Sequence, residues 1–237
     1  MIFEACALST RLDIKPAAIP DAQGMLRLHE GHLAEAAALF QQARTRARAE
    51  GNRLDEFQAL EHLLMVELQR DAYPRARSVS DELVSIGEKL REGSESSFAR
   101  VLRATTRYSM GEDQVGPELE QALDELRNVD AKHRLAYALT RIANVDLRRG
   151  HPDLGRSRAS EALAIARQLE QPSEIVFAQV ALARAAVGSN DGAALLLHLD
   201  QLLNQSMAGV STHARQAAQV VLEELNPRAS GPLQFTI

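Results

Sequence analysis

The chain has 237 residues, is 45% hydrophobic and 25% charged, and carries a formal net charge of −5. Enough apolar residues are present to bury a core, which excludes a disordered chain, and a single cysteine, Cys6, excludes a disulfide scaffold. Aromatics make up only 4% while Ala, Leu, Arg and Glu dominate, so the composition disfavours a β-sandwich or barrel, and the acidic balance disfavours a general nucleic-acid binder.

In chain order, residues 2–12 come first, with Phe3 and Cys6 three apart, and suggest the second helix of a repeat whose partner is missing. Five helix–turn–helix units of 39–40 residues are then expected over about 17–205, because Gly31, Asp71, Gly111 and Gly150 recur at that spacing. A small residue stands five places after each: Ala36, Ala76, Gly116 and Gly155, with Ser189 and Ala194 as a weaker fifth copy. In the first unit Met25, Leu26, Leu28 and His29 end one helix. Leu33, Ala36, Ala37, Phe40 and Ala43 line one face of the next. Ala36 allows the two helices to approach closely, and Phe40 fills the space between hairpins. The remaining pairs are predicted at 53–70/72–92, 95–110/113–128, 130–149/152–170 and 172–188/190–205, with a closing helix at 210–225.

Punctuation agrees. Pro74, Pro152 and Pro172 fall in first helical turns, where a missing N–H costs little. Asn52, Ser94 and Asp130 are expected N-caps, and Gly51, Gly93 and Gly150 mark helix ends. Residues 226–237 hold Pro227, Gly231 and Pro232 without periodicity and are expected to form a loose tail. The organisation is therefore one superhelical domain over 1–225 followed by that tail. The fold class is an all-α, right-handed α-solenoid of stacked hairpins.

On Gly24, Gly31, Ala36, Phe40 and Ala43 in the first unit, and Ala143, Gly150, Gly155, Ala159 and Ala162 in the fourth, the chain resembles the tetratricopeptide (TPR) repeat over about 17–205. Its period is longer than the 34 residues of the common TPR. In that it resembles the C-terminal TPR regions of bacterial LuxR-type and maltose-regulator-like signalling proteins. The resemblance implies a cytoplasmic binding or sensing surface rather than a catalytic one. The expected function is a non-enzymatic interaction scaffold that takes a peptide, helix or partner domain in its concave groove. The alternative is a ligand-sensing region of a larger transcriptional regulator or signalling ATPase.

The motif inventory points the same way. The sequence has no phosphate-binding P-loop, no Gly-x-Ser-x-Gly elbow and no cysteine pair at metal spacing. His29-Glu-Gly-His32 is broken by Gly31, and Glu118, Glu120, Asp124 and Glu125 suit a solvated helix face. No catalytic residue, cofactor or metal is expected. The uncharged stretches Ile175–Ala183 and Gly192–Leu199 are too short to cross a bilayer. Arginine placement is the remaining functional signal. Arg100, Arg103 and Arg107 share one helical face, and Arg134, Arg141 and Arg148 recur at heptads on the first helix of the next hairpin. With Tyr108, Tyr137 and Asn144 they suggest a groove for an acidic peptide or a carboxylate terminus, since guanidinium binds carboxylates in a fork. In the first two units the matching positions are Asp21, Met25, Glu61, Met65 and Gln69, an acidic, methionine-rich end. A strict 40-residue register would bury Arg100, Arg103 and Arg107, so the first helix of unit three is expected to slip by one or two positions. A homodimer through the exposed first helix pair is also expected, with no membrane and no direct nucleic-acid partner.

Overall fold

The computed structural model describes residues 17–90 and 93–225. The helix expected at 2–12, with Phe3 and Cys6, and the tail at 226–237 lie outside the described residues. Among the described residues the chain is all-α, with eleven α-helices and no strand. They are α1 (Ala18–His29), α2 (Leu33–Glu50), α3 (Arg53–Gln69), α4 (Tyr73–Gly87), α5 (Glu95–Ser109), α6 (Gly116–Asn128), α7 (Lys132–Arg148), α8 (Pro152–Gln168), α9 (Pro172–Gly188), α10 (Gly192–Leu203) and α11 (Thr212–Leu225). A short 3-10 turn, Asp113–Val115, precedes α6. The helices fall into two compact units, one ending at Val129 and the other beginning at Asp130. Within each unit, consecutive helices pack on one another. Among the described residues no helix is long and apolar enough to cross a membrane.

What divides the chain into helices of this length is a left-handed residue in each described connection. Gly31, Gly51, Asp71, Gly93, Gly111, Asp130, Gly150, Glu170, Asn190 and Gly209 all have positive φ, at intervals of 18 to 22 residues. Beside most of them the amide of the following residue reaches back five places, as from His32 to Arg27 at 2.8 Å and from His151 to Asp146 at 2.9 Å, whereas after Gly209 the Val210 amide reaches Met207 at 3.2 Å. This Schellman closure satisfies carbonyls that the helix end would leave bare and turns the chain sharply. Glycine adopts the conformation without steric cost, whereas Glu170, at φ 51°, holds it against the clash of its own Cβ.

The closures correct three expectations. Asp130 is the left-handed residue after α6, not an N-cap; Ala131 is the residue preceding α7. The fifth hairpin turns at Asn190, one place beyond Ser189. Ser94 precedes α5 without a side-chain cap bond, whereas Asn52 Oδ1 accepts the Asp55 amide at 3.2 Å as expected. Asp191 Oδ1 caps α10 in the same way, accepting the Ala194 amide at 3.0 Å.

In the first unit the small-and-large pattern is a close fit. A Cβ at Gly24 on α1 would lie 2.6 Å from the Phe40 ring. Phe40 is fully buried, and its ring also meets His62 on α3 at 5.1 Å between centroids, so it sits between one hairpin and the next. Helix α4 ends at Gly87, short of the expected 92, where a Cβ would crowd Phe57 at 3.2 Å and the Glu95 carbonyl at 3.3 Å. Gly116 departs from the expected pattern: a Cβ there would meet nothing within 4 Å, because the 3-10 turn delays α6 and Leu119 carries the packing. On α5 the residues Phe98, Val101, Leu102 and Thr105 are buried. Each follows Phe57, Leu60, Glu61 and Leu64 by 41 positions rather than 40, so the slip of one residue turns Arg100, Arg103 and Arg107 off the core face.

The second unit is built around α9, which packs against α7, α8, α10 and α11. A helix surrounded on this many sides must be apolar nearly all round, and Val176 through Ala183 are buried without a break. Val176, Phe177, Val180 and Ala183 join Leu199 and Leu202 of α10 and Ala214, Ala218, Val221 and Leu222 of α11 in one cluster. Gly155 lets α8 close on α7, since a Cβ there would lie 2.9 Å from Leu147. Beside it Asp146, fully buried, pairs with Arg158.

Two outcomes follow from this packing. Gly24→Ala should lower stability by about 1–3 kcal/mol through overpacking, despite the better helix propensity of Ala, and Phe40→Leu should relieve part of that loss in a double-mutant cycle read by urea denaturation. Asp146→Ala leaves Arg158 buried without its carboxylate and should cost about 3–5 kcal/mol, whereas Glu35→Ala, at an exposed pair, should change the urea midpoint by about 1 kcal/mol or less.

Candidate functional site

The arginines singled out by spacing fall in both units, and each set has its own surroundings. On α5, every guanidinium faces a carboxylate of the same unit. Arg100 Nη1 donates to Glu125 Oε2 at 2.6 Å, and Arg107 Nη1 donates to Glu118 Oε2 at 2.6 Å. Arg107 Nε also donates to Glu112 Oε2 at 2.9 Å, and Arg103 Nη2 reaches Glu118 Oε1 at 3.5 Å. Arg77 of α4 joins Glu112 at 3.1 Å. The hydrogen bond to Glu112 is the largest influence raising the Arg107 pKa above its ordinary value. The acids that looked like a solvated face of α6 therefore face the arginine stripe of α5. Tyr108 is buried in the core of this unit.

On α7 the arrangement differs. The Arg141 guanidinium lies over the Tyr137 ring at 4.7 Å and over the Phe177 ring of α9 at 4.5 Å. Its nearest carboxylate is Glu174 Oε1, at 3.8 Å, beyond hydrogen-bonding distance. Glu174 Oε2 is buried without a hydrogen-bond partner. The His213 ring of α11 packs on Phe177 at 5.2 Å between centroids. Burial first, and the Arg141 charge second, push the His213 pKa down to about 4. Asn144 turns inward on its own helix, donating from Nδ2 to the Thr140 carbonyl at 2.9 Å. Arg148 is exposed and Arg134 half-buried.

Chemically, an arginine lying against two rings has its orientation restricted, while its in-plane N–H edge stays the polar part. That edge suits a carboxylate or phosphate oxygen. Phe177, Glu174 and His213 were not among the residues drawn from the sequence. A signal for one of them was present: Phe177 stands 40 positions after Tyr137, the same place in successive repeats.

At the other end of the chain, one of the acidic, methionine-rich positions, Asp21, makes side-chain contacts across to α3. His62 Nδ1 lies 2.8 Å from Asp21 Oδ1, joining α3 to α1, and Gln58 Nε2 donates to Asp21 Oδ2 at 3.4 Å. Glu61 is buried, Met65 half-buried and Met25 exposed. Among the described residues no group of three or more His, Cys, Asp or Glu side chains is placed to hold a metal ion.

His213 gives a pH dependence with a definite sign. Its folded pKa lies below the ordinary 6.5, so the folded state resists its protonation. The contribution is fully present above pH 6.5 and is lost as pH falls from 6.5 toward 4. His198, lowered mainly by burial, acts in the same sense. Urea midpoints should fall across this window, and His213→Leu should flatten part of the slope.

No protein-family model and no curated protein matches the sequence. Among solved structures, the crystal structure of BtubC (BKLC) from P. vanneervenii is similar, covering 100% of this chain and 94% of its own with a TM-score of 0.56 and 16% identity. At that identity the likeness bears on the fold alone: the chain shares a helical architecture with that protein.

Proposed function

We propose that this chain is a right-handed helical-repeat scaffold of the tetratricopeptide kind, which binds a protein or peptide and catalyses no reaction. Three features support the reading. The left-handed closures recur through the described chain at a nearly constant interval, small residues at Gly24, Gly87 and Gly155 make room for large side chains where helices meet, and a solved structure aligns with the chain from end to end. A quasi-repetitive stack of hairpins presents a long surface rather than a closed catalytic cavity.

The observation that carries the binding assignment is the stacked Arg141. On α5 the candidate arginines are matched by carboxylates at hydrogen-bonding distance, so an acidic partner there would have to displace Glu112, Glu118 and Glu125. For Arg141 the nearest carboxylate, Glu174, stands off at 3.8 Å, and the Tyr137 and Phe177 rings, with a hydrogen bond to Tyr137, hold the guanidinium in place. In this proposal Arg141 is the contact for a partner carboxylate, and Tyr137 and Phe177 position it.

The test is selection from a library of random peptides with free carboxyl ends, followed by fluorescence polarisation on the selected sequences. Acidic peptides should be enriched, and Arg141→Met should weaken them by about 10- to 100-fold, the worth of a charge-assisted hydrogen bond. Arg100→Gln should change affinity by less than about threefold, the effect expected of an already neutralised surface charge. Equal binding by the Arg141→Met variant, with its melting temperature unchanged, would refute the assignment.

A further inference from the structure

Each of the first three hairpins carries an ion pair at the same place, its sign reversing from hairpin to hairpin, and the fourth carries one from the equivalent first position to a residue one turn further into its second helix. The first member sits in or near the last turn of the first helix: Arg27, Glu67, Arg107 and Asp146, spaced by 40, 40 and 39 residues. The second member sits near the start of the following helix: Glu35, Arg75, Glu118 and Arg158. The first three of these are each the third residue of their helix. Arg27 meets Glu35 at 3.2 Å, Glu67 meets Arg75 at 3.9 Å, Arg107 meets Glu118 at 2.6 Å, and Asp146 pairs with Arg158 inside the second unit. The fifth hairpin has Ala186 at the first place and no pair.

Local helix electrostatics does not account for the reversal. A cation at a helix C-terminus and an anion at the next N-terminus favour the backbone dipoles, as in hairpins one and three. Hairpins two and four have the opposite, unfavourable orientation. A chain optimising each hairpin alone would repeat the first arrangement four times. Repeat chains face a different hazard. Hairpins of similar shape can exchange helices, within one chain or between two copies. With alternating signs, α1 mispaired with α4 would set Arg27 against Arg75, and α3 mispaired with α6 would set Glu67 against Glu118. Like charges at these close positions penalise the wrong pairing, while the correct pairing stays attractive.

We propose that the alternating ion pairs are a registry code, which directs each helix to its own hairpin partner and suppresses exchange with the neighbouring hairpin. The full chain tests this by refolding from urea at several protein concentrations, with light scattering reading the oligomeric fraction and fluorescence of a site-specific dye reading the refolding phases. One variant inverts the second pair, Glu67→Arg with Arg75→Glu, and also Arg70→Glu, because Arg70 lies 3.7 Å from Glu67. It keeps an attractive native pair and gives hairpins one to three the same sign. A second, Glu67→Gln with Arg75→Gln, removes attraction and discrimination together.

The expected order of misassembled product is parent lowest, the Gln pair intermediate and the inverted set highest. The inverted set should show at least a twofold excess over the parent while its equilibrium urea midpoint stays close to the parent's. Refolding of the inverted set as cleanly as the parent, or more cleanly as the helix dipoles alone would favour, overturns the proposal. If the inverted set fails to fold, the equivalent inversion of the first pair, Arg27→Glu with Glu35→Arg and Glu30→Arg, replaces it. Failure of that variant too would show that the pairs act through their individual signs and not through alternation, which also overturns the proposal.

Discussion

The left-handed residue set in each described connection is the constraint on which the rest of the structure depends. An α-helix propagates until its carbonyls find other partners, and nothing in a run of Ala, Leu, Arg and Glu stops it after seventeen residues. Here the stop is built from backbone: one positive-φ residue, and an amide that reaches back five places. Because the stops recur at nearly equal intervals, the helices stay between 12 and 18 residues long. Gly24 can then face Phe40, and Gly155 can face Leu147, as a consequence of that equal spacing. A residue inserted before one stop would move a glycine away from the ring it accommodates.

Much of this was legible in the sequence, for reasons that particular residues make plain. Gly31 and Gly150 are glycines at turns, and their conformational freedom is visible without coordinates. Ala36, Phe40 and Ala43 are spaced for one helical face, and all three are buried. Asp130, Glu170 and Asn190 were harder, because a polar residue in the left-handed region is indistinguishable by type from an N-cap or an ordinary surface residue. Only the interval marks them out. The slip of α5 was legible as a conflict, since a strict register would have buried three arginines. Its direction became clear only from where Phe98 and Leu102 lie.

The arginines show the limit of spacing as a guide to chemistry. Helical periodicity establishes that Arg100, Arg103 and Arg107 share a face. It does not establish what the adjacent helix brings to that face, because this depends on how far α6 is rotated and where it starts. The 3-10 turn before α6 sets that start, and it puts Glu118 within reach of both Arg103 and Arg107. A stripe of cations and a stripe of anions, each legible alone, thus become one neutral seam.

Arg141 shows the complementary case. Its identity as arginine was visible, but its character comes from rings on two helices, Tyr137 one turn before it and Phe177 across the α7–α9 contact. Packing rings against a guanidinium removes water where it binds least strongly and leaves the N–H edge as the polar part. Burial pushes the His213 pKa down first and the Arg141 charge adds to it, so His213, packed on Phe177, resists protonation. Burial and charge act together there: a protonated imidazole would have to give up water and lie near a fixed guanidinium at once.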